Sequence, residues 1–150
     1  MRIALYQPDI PQNSGNIFRL GACFGISIDI IEPAGYIFDD KRFRRSSMDY
    51  INHIDYKRHL DWENFINWSK KNNFRLILLT TKAEKKYCDY TYKDNDILLF
   101  GRESAGVPKK VHNNVDEQIT IPMVKGLRSI NVSSAVALVV GEACRQLNLF

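Results

Sequence analysis

Three segments of the sequence combine polar residues, glycines and prolines immediately after an apolar run. They are residues 8–19 (PDIPQNSGNIFR), 100–108 (FGRESAGVP) and 121–135 (IPMVKGLRSINVSSA). Parallel α/β sheets bind ligands where strands end and helices begin. The three segments together therefore favour a shared ligand site, whereas any one of them alone is more typical of a turn followed by a helix cap.

Each segment offers a different kind of contact. In the first, the prolines end the strand, and Gly15 exposes backbone amides near a helix N-terminus, which suits an anion. In the second, Gly101 follows apolar strand residues, so a ligand can approach the backbone there without meeting a side chain. The third presents the backbone of residues 121–123 and a turn at Gly126, followed by Arg128, Ser129 and Asn131 at the start of a helix.

The signatures of other common sites do not occur in the sequence. Neither GxGxxG nor GxxxxGK[ST] follows a predicted strand, and there is no GxSxG motif. The histidines, His53, His59 and His112, lie far apart, and no pair has the HxxxH spacing of a zinc site. We therefore expect no dinucleotide, P-loop or metal site, and interpret the histidines as structural or surface residues.

The chain has 150 residues, of which 45% are hydrophobic and 25% charged, as expected for one globular domain over residues 1–150. Its net charge is +4, and residues 41–60 account for all of it with six basic and two acidic residues. An excess confined to one stretch indicates an anionic partner bound at one place. A solvated basic loop is the alternative interpretation.

Cysteine usage and hydropathy favour the cytoplasm. The three cysteines, Cys23, Cys88 and Cys144, are an odd number at wide spacings, which argues against a disulfide framework. The first residues do not form a signal-peptide core, and the apolar run at 135–140 is too short to span a bilayer.

Apolar runs alternate with helical stretches, a pattern typical of a mostly parallel sheet covered by helices. The predicted strands are residues 2–6, 27–31, 75–80, 96–100 and 118–121. Helices are predicted from about residue 13, over 61–71 with Asp61 as N-cap, and over 131–147.

Helical periodicity divides the first and last helices into faces. The first is predicted to bury Ile17, Leu20, Gly21 and Phe24, with Asn13, Asn16 and Arg19 on its other flank. The last has an apolar stripe of Val132, Ala135, Val136, Val139, Ala143 and Leu147, and small residues Ser134, Ala137 and Gly141 elsewhere. The small residues permit close packing against a partner subunit, and an ordinary buried C-terminal helix is an equally good interpretation.

The order and spacing of the three segments resemble the three motifs of the SPOUT superfamily of RNA methyltransferases. The resemblance covers essentially the whole chain and is greatest for the small, one-domain tRNA 2′-O-methyltransferases of the TrmL type. The strings that carry it are PQNSGNIFR, IEPAGYIFDDKRFRRSSMDY, LTTK at residues 79–82, and IPM followed by RSINVSSAV.

This resemblance implies an α/β fold, a mostly parallel sheet flanked by helices, with a C-terminal deep trefoil knot. Periodicity alone predicts only an ordinary doubly wound sheet. In the family the knot loops bind S-adenosylmethionine, largely through backbone contacts and without a metal. The matching cofactor-binding residues in this sequence are Leu79, Gly101, Ile121, Met123, Leu127 and Ser129, with Asn131 nearby.

The implied reaction is methyl transfer to the ribose 2′-hydroxyl of wobble nucleotide 34, a cytidine or modified uridine, in leucine tRNAs. Arg19 matches the arginine that activates this hydroxyl. A guanidinium is a poor base, so an adjacent phosphate that accepts the proton while Arg19 orients the ribose is a second interpretation. The other residues matched to the catalytic site are Asn13, Asn16, Glu103, Ser129 and Asn131.

The basic stretch corresponds to the RNA-facing part of such an enzyme. The predicted phosphate contacts are Lys41, Arg42, Arg44, Arg45 and Arg58, with Phe43, Tyr50 and Tyr56 available for stacking on bases. Pairing of Arg44 and Arg45 with Asp39 and Asp40 is the alternative. The family forms homodimers in which the RNA surface of one subunit lies beside the cofactor pocket of the other.

Two positions depart from the family pattern. Arg102 stands where relatives commonly have proline, and Gly141 where they often have an aromatic residue. Three other functions remain open at this point: methylation of a different tRNA or ribosomal RNA position, RNA binding without catalysis, and nucleotide binding unrelated to RNA.

Overall fold

The computed structural model describes residues 1–37, 45 and 48–149. Six parallel strands form one sheet in the order β3-β2-β1-β5-β4-β6. The strands are β1 (Arg2–Tyr6), β2 (Ser27–Ile31), β3 (Tyr56–His59), β4 (Arg75–Leu79), β5 (Asp96–Phe100) and β6 (Glu117–Ile119). The α-helices are α1 (Pro11–Phe24), α2 (Trp62–Lys71), α3 (Lys109–His112) and α4 (Val132–Leu147), with short 3-10 helices at Met48–His53 and Tyr87–Asp89.

The predicted mostly parallel α/β sheet is confirmed, with three differences in its strands. β3 was not predicted, because only His59 of its four residues is buried and the other three resemble a loop. β4 ends at Leu79, one residue early, because the backbone N–H of Thr80 donates to Ile119 outside the ladder. β6 covers residues 117–119 instead of 118–121, so the chain leaves the sheet before the third segment begins.

The two faces of the sheet bury separate cores. One face packs against α1 and α4, and its core includes Phe18, Phe100 and Val139. The opposite face packs against α2, where Phe65 and Trp62 cover the strands. This three-layer arrangement places the N-termini of α1 and α4 on the same side of the sheet.

Helix α1 buries most of the predicted face, including Ile17 and Gly21, but two residues differ from the prediction. Asn13, expected on the polar flank, is buried, because it meets the start of α4. Phe24, expected in the apolar stripe, is 39% exposed, because it is the last residue of the helix before Gly25 turns the chain away. Gly21 fits the prediction, since a Cβ there would lie 2.6 Å from Ile54.

The predicted N-cap at Asp61 is confirmed, and Asn131, predicted to start the last helix, is the N-cap of α4. Asp61 accepts a hydrogen bond from the backbone of Asn64 at 2.8 Å, and Asn131 caps α4, which starts at Val132. The buried residues of α4 are Val136, Val139, Val140, Ala143 and Cys144, so that Val132, Ala135 and Leu147 of the predicted stripe are only half-buried. The small residues Ser134, Ala137 and Gly141 lie on the exposed face together with Leu138. No helix among the described residues is long and apolar enough to cross a membrane.

Candidate active site

A cavity of about 560 Å³ lies beyond the carboxyl ends of β4 and β5. Its volume is in the usual range of small-molecule sites, about 300–1,000 Å³. All three segments singled out in the sequence contribute to its lining. The predicted residues that line it are Asn13, Leu79, Gly101, Glu103, Ile121, Met123, Ser129 and Asn131.

Three of the residues predicted for catalysis or cofactor binding do not line this cavity. Leu127 is 69% exposed and follows Gly126, whose φ of +95° turns the chain outward. Asn16 and Arg19 are exposed on α1, one and two turns after Asn13. The guanidinium carbon of Arg19 lies 5.4 Å from the centre of the Tyr50 ring.

A pair of carboxyl groups joins the first segment to the second. The Asp9 backbone N–H donates to Glu103 Oε2 at 3.0 Å, and the Glu103 backbone N–H donates to Asp9 Oδ1 at 3.1 Å. The Ser104 hydroxyl also donates to the Asp9 carboxylate. Because each residue supplies both a donor and an acceptor, these hydrogen bonds fix the position of one loop relative to the other.

The third segment is joined to this pair through two asparagines. Asn13 Nδ2 donates to Glu103 Oε1 at 3.0 Å, and Asn131 Nδ2 donates to Asn13 Oδ1 at 2.9 Å. Asn131 Oδ1 in turn accepts from the backbone N–H of Ser133 at 2.8 Å. A continuous chain of hydrogen bonds therefore runs from Asp9 to the start of α4 along the cavity wall. We call Asp9, Glu103, Asn13 and Asn131 the cavity network.

The pKa values of the two carboxyl groups in the cavity network are shifted in opposite directions. The side-chain hydrogen bond with Glu103 lowers the pKa of Asp9 to about 2. Burial raises the pKa of Glu103, and its hydrogen bond with Asp9 raises that pKa further. As the pH falls, Glu103 is therefore the first of the two to take up a proton.

The second segment makes a tight loop at the edge of the cavity. The backbone of Arg102 donates to Gly106 at 3.0 Å and accepts from it at 2.9 Å. A Cβ on Gly101 would lie 2.6 Å from the Gly106 backbone, so this position requires glycine. Proline, common among relatives at position 102, has no N–H and would not make the first of these bonds.

The charged side chain of Arg102 lies between the first two segments. Its Nη1 is 3.5 Å from Gln7 Oε1, and its Nε is 3.7 Å from Asp9 Oδ2. The side chain is 37% exposed. Arg102 therefore brings a positive charge to the cavity network that a proline would not supply.

Several lining residues were not predicted from the sequence. Lys82 and His112 line the cavity, and Asp9, also not predicted, holds the loop of Glu103. Arg128, which the sequence places at the helix start of the third segment, lines the cavity as well. Asp9 lies inside a segment already singled out, so strand-end position was a usable signal for it. His112 lies in α3, which no pattern predicted, and no sequence signal indicated its place.

The predicted RNA-binding residues are only partly described. Lys41, Arg42 and Arg44 lie outside the described residues, as do Phe43, Asp39 and Asp40. Arg45 is exposed. Arg58 is half-exposed, and its Nε donates to Glu32 Oε1 at 2.6 Å.

No group of three histidine, cysteine, aspartate or glutamate side chains suited to a metal ion occurs within residues 1–37, 45 and 48–149. The cavity instead presents amide, carboxyl and guanidinium groups beside an apolar wall. That wall includes Leu79, Val107 and Ile121. Such a lining fits an organic ligand that has one flat apolar end and one polar end.

Comparison with known proteins identifies the family. The model of the SpoU rRNA methylase family matches residues 1–141. The chain belongs to this family. A SpoU relative from Beijerinckia indica, a tRNA (cytidine(34)-2′-O)-methyltransferase, is 50% identical over 145 residues, covering 97% of this chain and 91% of its own. The predicted resemblance to tRNA 2′-O-methyltransferases is thus confirmed.

Solved SpoU structures share the fold. The structure of a protein studied for 2-OH methylation of C/U34 on tRNA aligns with a TM-score of 0.93 at 33% identity, covering 98% of this chain and 95% of that one. The SpoU methyltransferase AviRb from Streptomyces viridochromogenes, solved in complex with AdoMet, aligns with a TM-score of 0.91 at 21% identity. It covers 99% of this chain and 58% of AviRb, and at that identity the likeness shows the fold alone.

Proposed function

We propose that this protein transfers a methyl group from S-adenosylmethionine to the ribose 2′-hydroxyl of nucleotide 34 in tRNA. The observation that carries the proposal is the cavity network, which brings the three family motifs together around one cavity of ligand size. The name of the Beijerinckia relative and the subject of the solved C/U34 structure support the position of the methylated nucleotide.

The chemistry of the cavity fits S-adenosylmethionine. Leu79, Val107 and Ile121 offer an apolar wall for a purine, and Gly101 leaves room for a close approach to the backbone. Asn13 and Glu103 offer polar groups at the other end. When bound, S-adenosylmethionine supplies an electrophilic methyl group, so the protein has to align the acceptor hydroxyl and assist its deprotonation.

Glu103 acts as a positioning residue in this proposal. Both of its carboxylate oxygens already accept hydrogen bonds, from the Asp9 backbone and from the Asn13 side chain. Its charge and geometry therefore fix the loop of residues 101–106 and do not serve the substrate hydroxyl directly. Asn13 and Asn131 connect this loop to the start of α4 by a further hydrogen bond.

We assign contact with the ribose of the substrate nucleotide to Arg19. It is exposed on α1, outside the cavity lining, with its guanidinium over the ring of Tyr50. A guanidinium donates hydrogen bonds and accepts none. Arg19 therefore orients the ribose and stabilises the developing alkoxide, while an adjacent RNA phosphate accepts the proton. Asn16, exposed one turn earlier on the same helix, supports the ribose.

The exposed positions of Arg19, Arg45 and Arg58 favour RNA binding outside the cavity. We assign phosphate contacts to these side chains and to Lys41, Arg42 and Arg44. Leucine tRNAs are the proposed substrates and the cytoplasm the proposed compartment, both on the sequence resemblance.

The active form in this proposal is a homodimer. The exposed face of α4 carries Ser134, Ala137 and Gly141 beside Leu138, which is 46% exposed. Small residues beside an exposed leucine permit two helices to approach closely. A dimer formed there would place the RNA surface of one subunit beside the cavity of the other. Sedimentation of the protein measures this state directly, and a monomer with full activity would contradict it.

A C-terminal trefoil knot is also part of the proposal. Thr120 leaves the sheet and pairs with the loop after β4, since its N–H donates to Lys85 and its carbonyl accepts from Tyr87. The segment leading to α4 therefore runs along that loop. An experimental chain trace that passed outside the loop of residues 80–95 would contradict the knot.

The decisive experiment is transfer of a labelled methyl group from S-adenosylmethionine to bulk tRNA, followed by mapping of the modified nucleotide. We expect label at the 2′-oxygen of nucleotide 34 in leucine tRNAs, and a loss of at least about a hundredfold in kcat for Arg19→Ala. Lys71→Ala, which removes an exposed charge at the end of α2, should retain wild-type activity.

Three outcomes would contradict this assignment. Label at another nucleotide would reject position 34, and binding of both ligands without transfer would indicate an RNA-binding protein without catalysis. Full activity in Arg19→Ala would remove Arg19 from its role.

A further inference from the structure

His112 is a cavity residue held in one orientation by a neighbouring strand. It ends α3 and lines the cavity, where its side chain is half-buried. Its Nδ1 lies 3.1 Å from Oε1 of Gln118, and Nε2 of Gln118 lies 3.1 Å from the His112 backbone carbonyl. Two bonds between the same pair of residues therefore fix the imidazole ring.

These two bonds also determine which ring nitrogen carries the proton. A backbone carbonyl only accepts, so the nitrogen of the Gln118 amide must face it, and the amide oxygen must face Nδ1. That oxygen only accepts, so Nδ1 of His112 must be the donor. In the neutral ring Nε2 is then an acceptor, and it makes no hydrogen bond to any described residue. The cavity wall thus contains an oriented acceptor available to a ligand.

The position of His112 shows which part of a ligand this acceptor would meet. Gln118, the partner of His112, pairs in register with Leu78, and the next residue of that strand, Leu79, lines the cavity. In the sheet order β1-β5-β4-β6, this is the β4–β6 end of the cavity, whereas Asn13 follows β1 at the other end. His112 therefore lies at the end where Leu79 and Ile121 offer apolar surface to a purine, away from the cavity network.

We propose that Nε2 of His112 accepts a hydrogen bond from the 6-amino group of the adenine of the methyl donor. The 6-amino group is the only donor on an adenine base attached to ribose, and an acceptor on the protein selects for it. His112 is then a specificity-determining residue that distinguishes a 6-aminopurine from a 6-oxopurine. This proposal rests on the proposed function, because it takes S-adenosylmethionine as the ligand of the cavity.

Binding of two ligands to the full-length protein tests the proposal without measuring activity. Titration calorimetry is carried out with S-adenosylhomocysteine and with S-inosylhomocysteine, in which a 6-oxo group replaces the 6-amino group. His112→Leu should weaken S-adenosylhomocysteine binding about fivefold, the value of one hydrogen bond. Its binding of S-inosylhomocysteine should not weaken, because that ligand places an acceptor opposite Nε2. The preference for the amino ligand should therefore fall about fivefold.

The role of Gln118 separates an oriented acceptor from simple packing. Gln118→Leu releases the ring and should lose the preference as His112→Leu does. His53→Leu, at an exposed histidine outside the cavity lining, is the matched control and should bind both ligands as the wild type does. Thermal melting checks that each variant is folded.

The results that would overturn the proposal are distinct from a failure of the proposed function. Unchanged affinity in His112→Leu, or an equal loss for both ligands, would reject the contact with the 6-amino group. A wild-type protein that bound neither ligand would reject the cofactor assignment itself, and this proposal with it.

Discussion

Two of the polar clusters among the described residues differ in their access to solvent: the cluster around Asp29 is sealed, whereas the cavity network borders a cavity. In the sealed cluster, Asp29 accepts from Arg2 Nε at 2.6 Å and lies 2.7 Å from His59 Nε2. Asp29 is fully buried and His59 is 4% exposed. The ring centres of Phe65 and Trp68 lie 5.1 and 4.9 Å from that of His59, which closes the cluster from solvent.

The cavity network consists of two carboxyl groups and two neutral amides, and it lies in a different environment. Glu103, Asn13 and Asn131 bond to one another and also line a cavity of about 560 Å³. By residue type, an arginine, an aspartate and a histidine in contact look more like catalytic machinery than two asparagines and a glutamate do. Access for a ligand, and not residue type, therefore separates the site from the structural cluster.

The largest expected effect is on the sealed cluster. Asp29→Ala leaves Arg2 and His59 without their shared partner, and should lower the free energy of unfolding by about 3–5 kcal/mol in urea denaturation. Asp55→Ala is the matched control, because that 74% exposed carboxylate lies 3.4 Å from the same arginine and should contribute under about 1 kcal/mol. If the two variants lost the same free energy of unfolding, burial of the ion pair would not explain the contribution of Asp29.

At the cavity, a single methyl group should affect binding more than stability. Gly101→Ala places a Cβ 2.6 Å from the Gly106 backbone, so the loop must shift, and S-adenosylhomocysteine affinity should fall more than about tenfold by calorimetry. Gly25→Ala is the opposite case, with open space around the Cβ but a φ of +65°. It should lower stability by about 1 kcal/mol and leave affinity unchanged. An affinity loss in Gly25→Ala instead would contradict the assignment of the cavity.

Substitutions at two helix caps, one at the cavity and one outside it, should have smaller effects on stability and binding. Asn131→Ala should lower the free energy of unfolding by about 1–2 kcal/mol, and it should also weaken S-adenosylhomocysteine binding because it releases Asn13. Asp61→Ala removes the cap of α2, a helix that does not line the cavity, and should lower stability without changing affinity. Chemical denaturation and calorimetry on both variants check this, and unchanged affinity in Asn131→Ala would show that the cavity network does not support binding.

The smallest expected effect is the pH dependence of Asp9. Its pKa is lowered from 3.8 to about 2, so its contribution to stability is present above pH 4 and is lost as the pH falls toward 2. Asp9→Asn should lack this loss, which we expect to be about 1 kcal/mol because the group is partly solvated. The raised pKa of Glu103 acts in the opposite direction, and denaturation at several pH values measures the sum. If the free energy of unfolding of Asp9→Asn fell below pH 4 as steeply as that of the wild type, the hydrogen bonds between Asp9 and Glu103 would not account for the loss.

The sequence predicted those parts of the fold that local patterns determine. β1 and β5 follow from continuous apolar runs, and the start of α2 follows from the capping side chain of Asp61. β3 was not predicted, because an edge strand with one buried residue has no hydrophobic period to detect. The sealed cluster was not predicted either, since Arg2, Asp29 and His59 meet only when three strands are in register.

Prediction of the cavity depended on the family motifs rather than on periodicity. Strand-end position indicated Gly101 and Asn131, and the motifs assigned them to one site. Helical periodicity placed Asn13 on the wrong side of α1, because its burial comes from contact with a helix about 120 residues later. The bond between His112 and Gln118 joins a short helix to the strand after it, and neither residue belongs to a motif.

The hydrogen bond from Asn131 to Asn13 joins residues 118 positions apart. During translation, that bond can form only after residue 131 has left the ribosome, long after β1 and α1 have been synthesised. A nascent chain that still lacks α4 therefore lacks Asn131, Val132 and Ala135 from the cavity lining. The cavity is thus completed late in synthesis, after the strands that border it have been made.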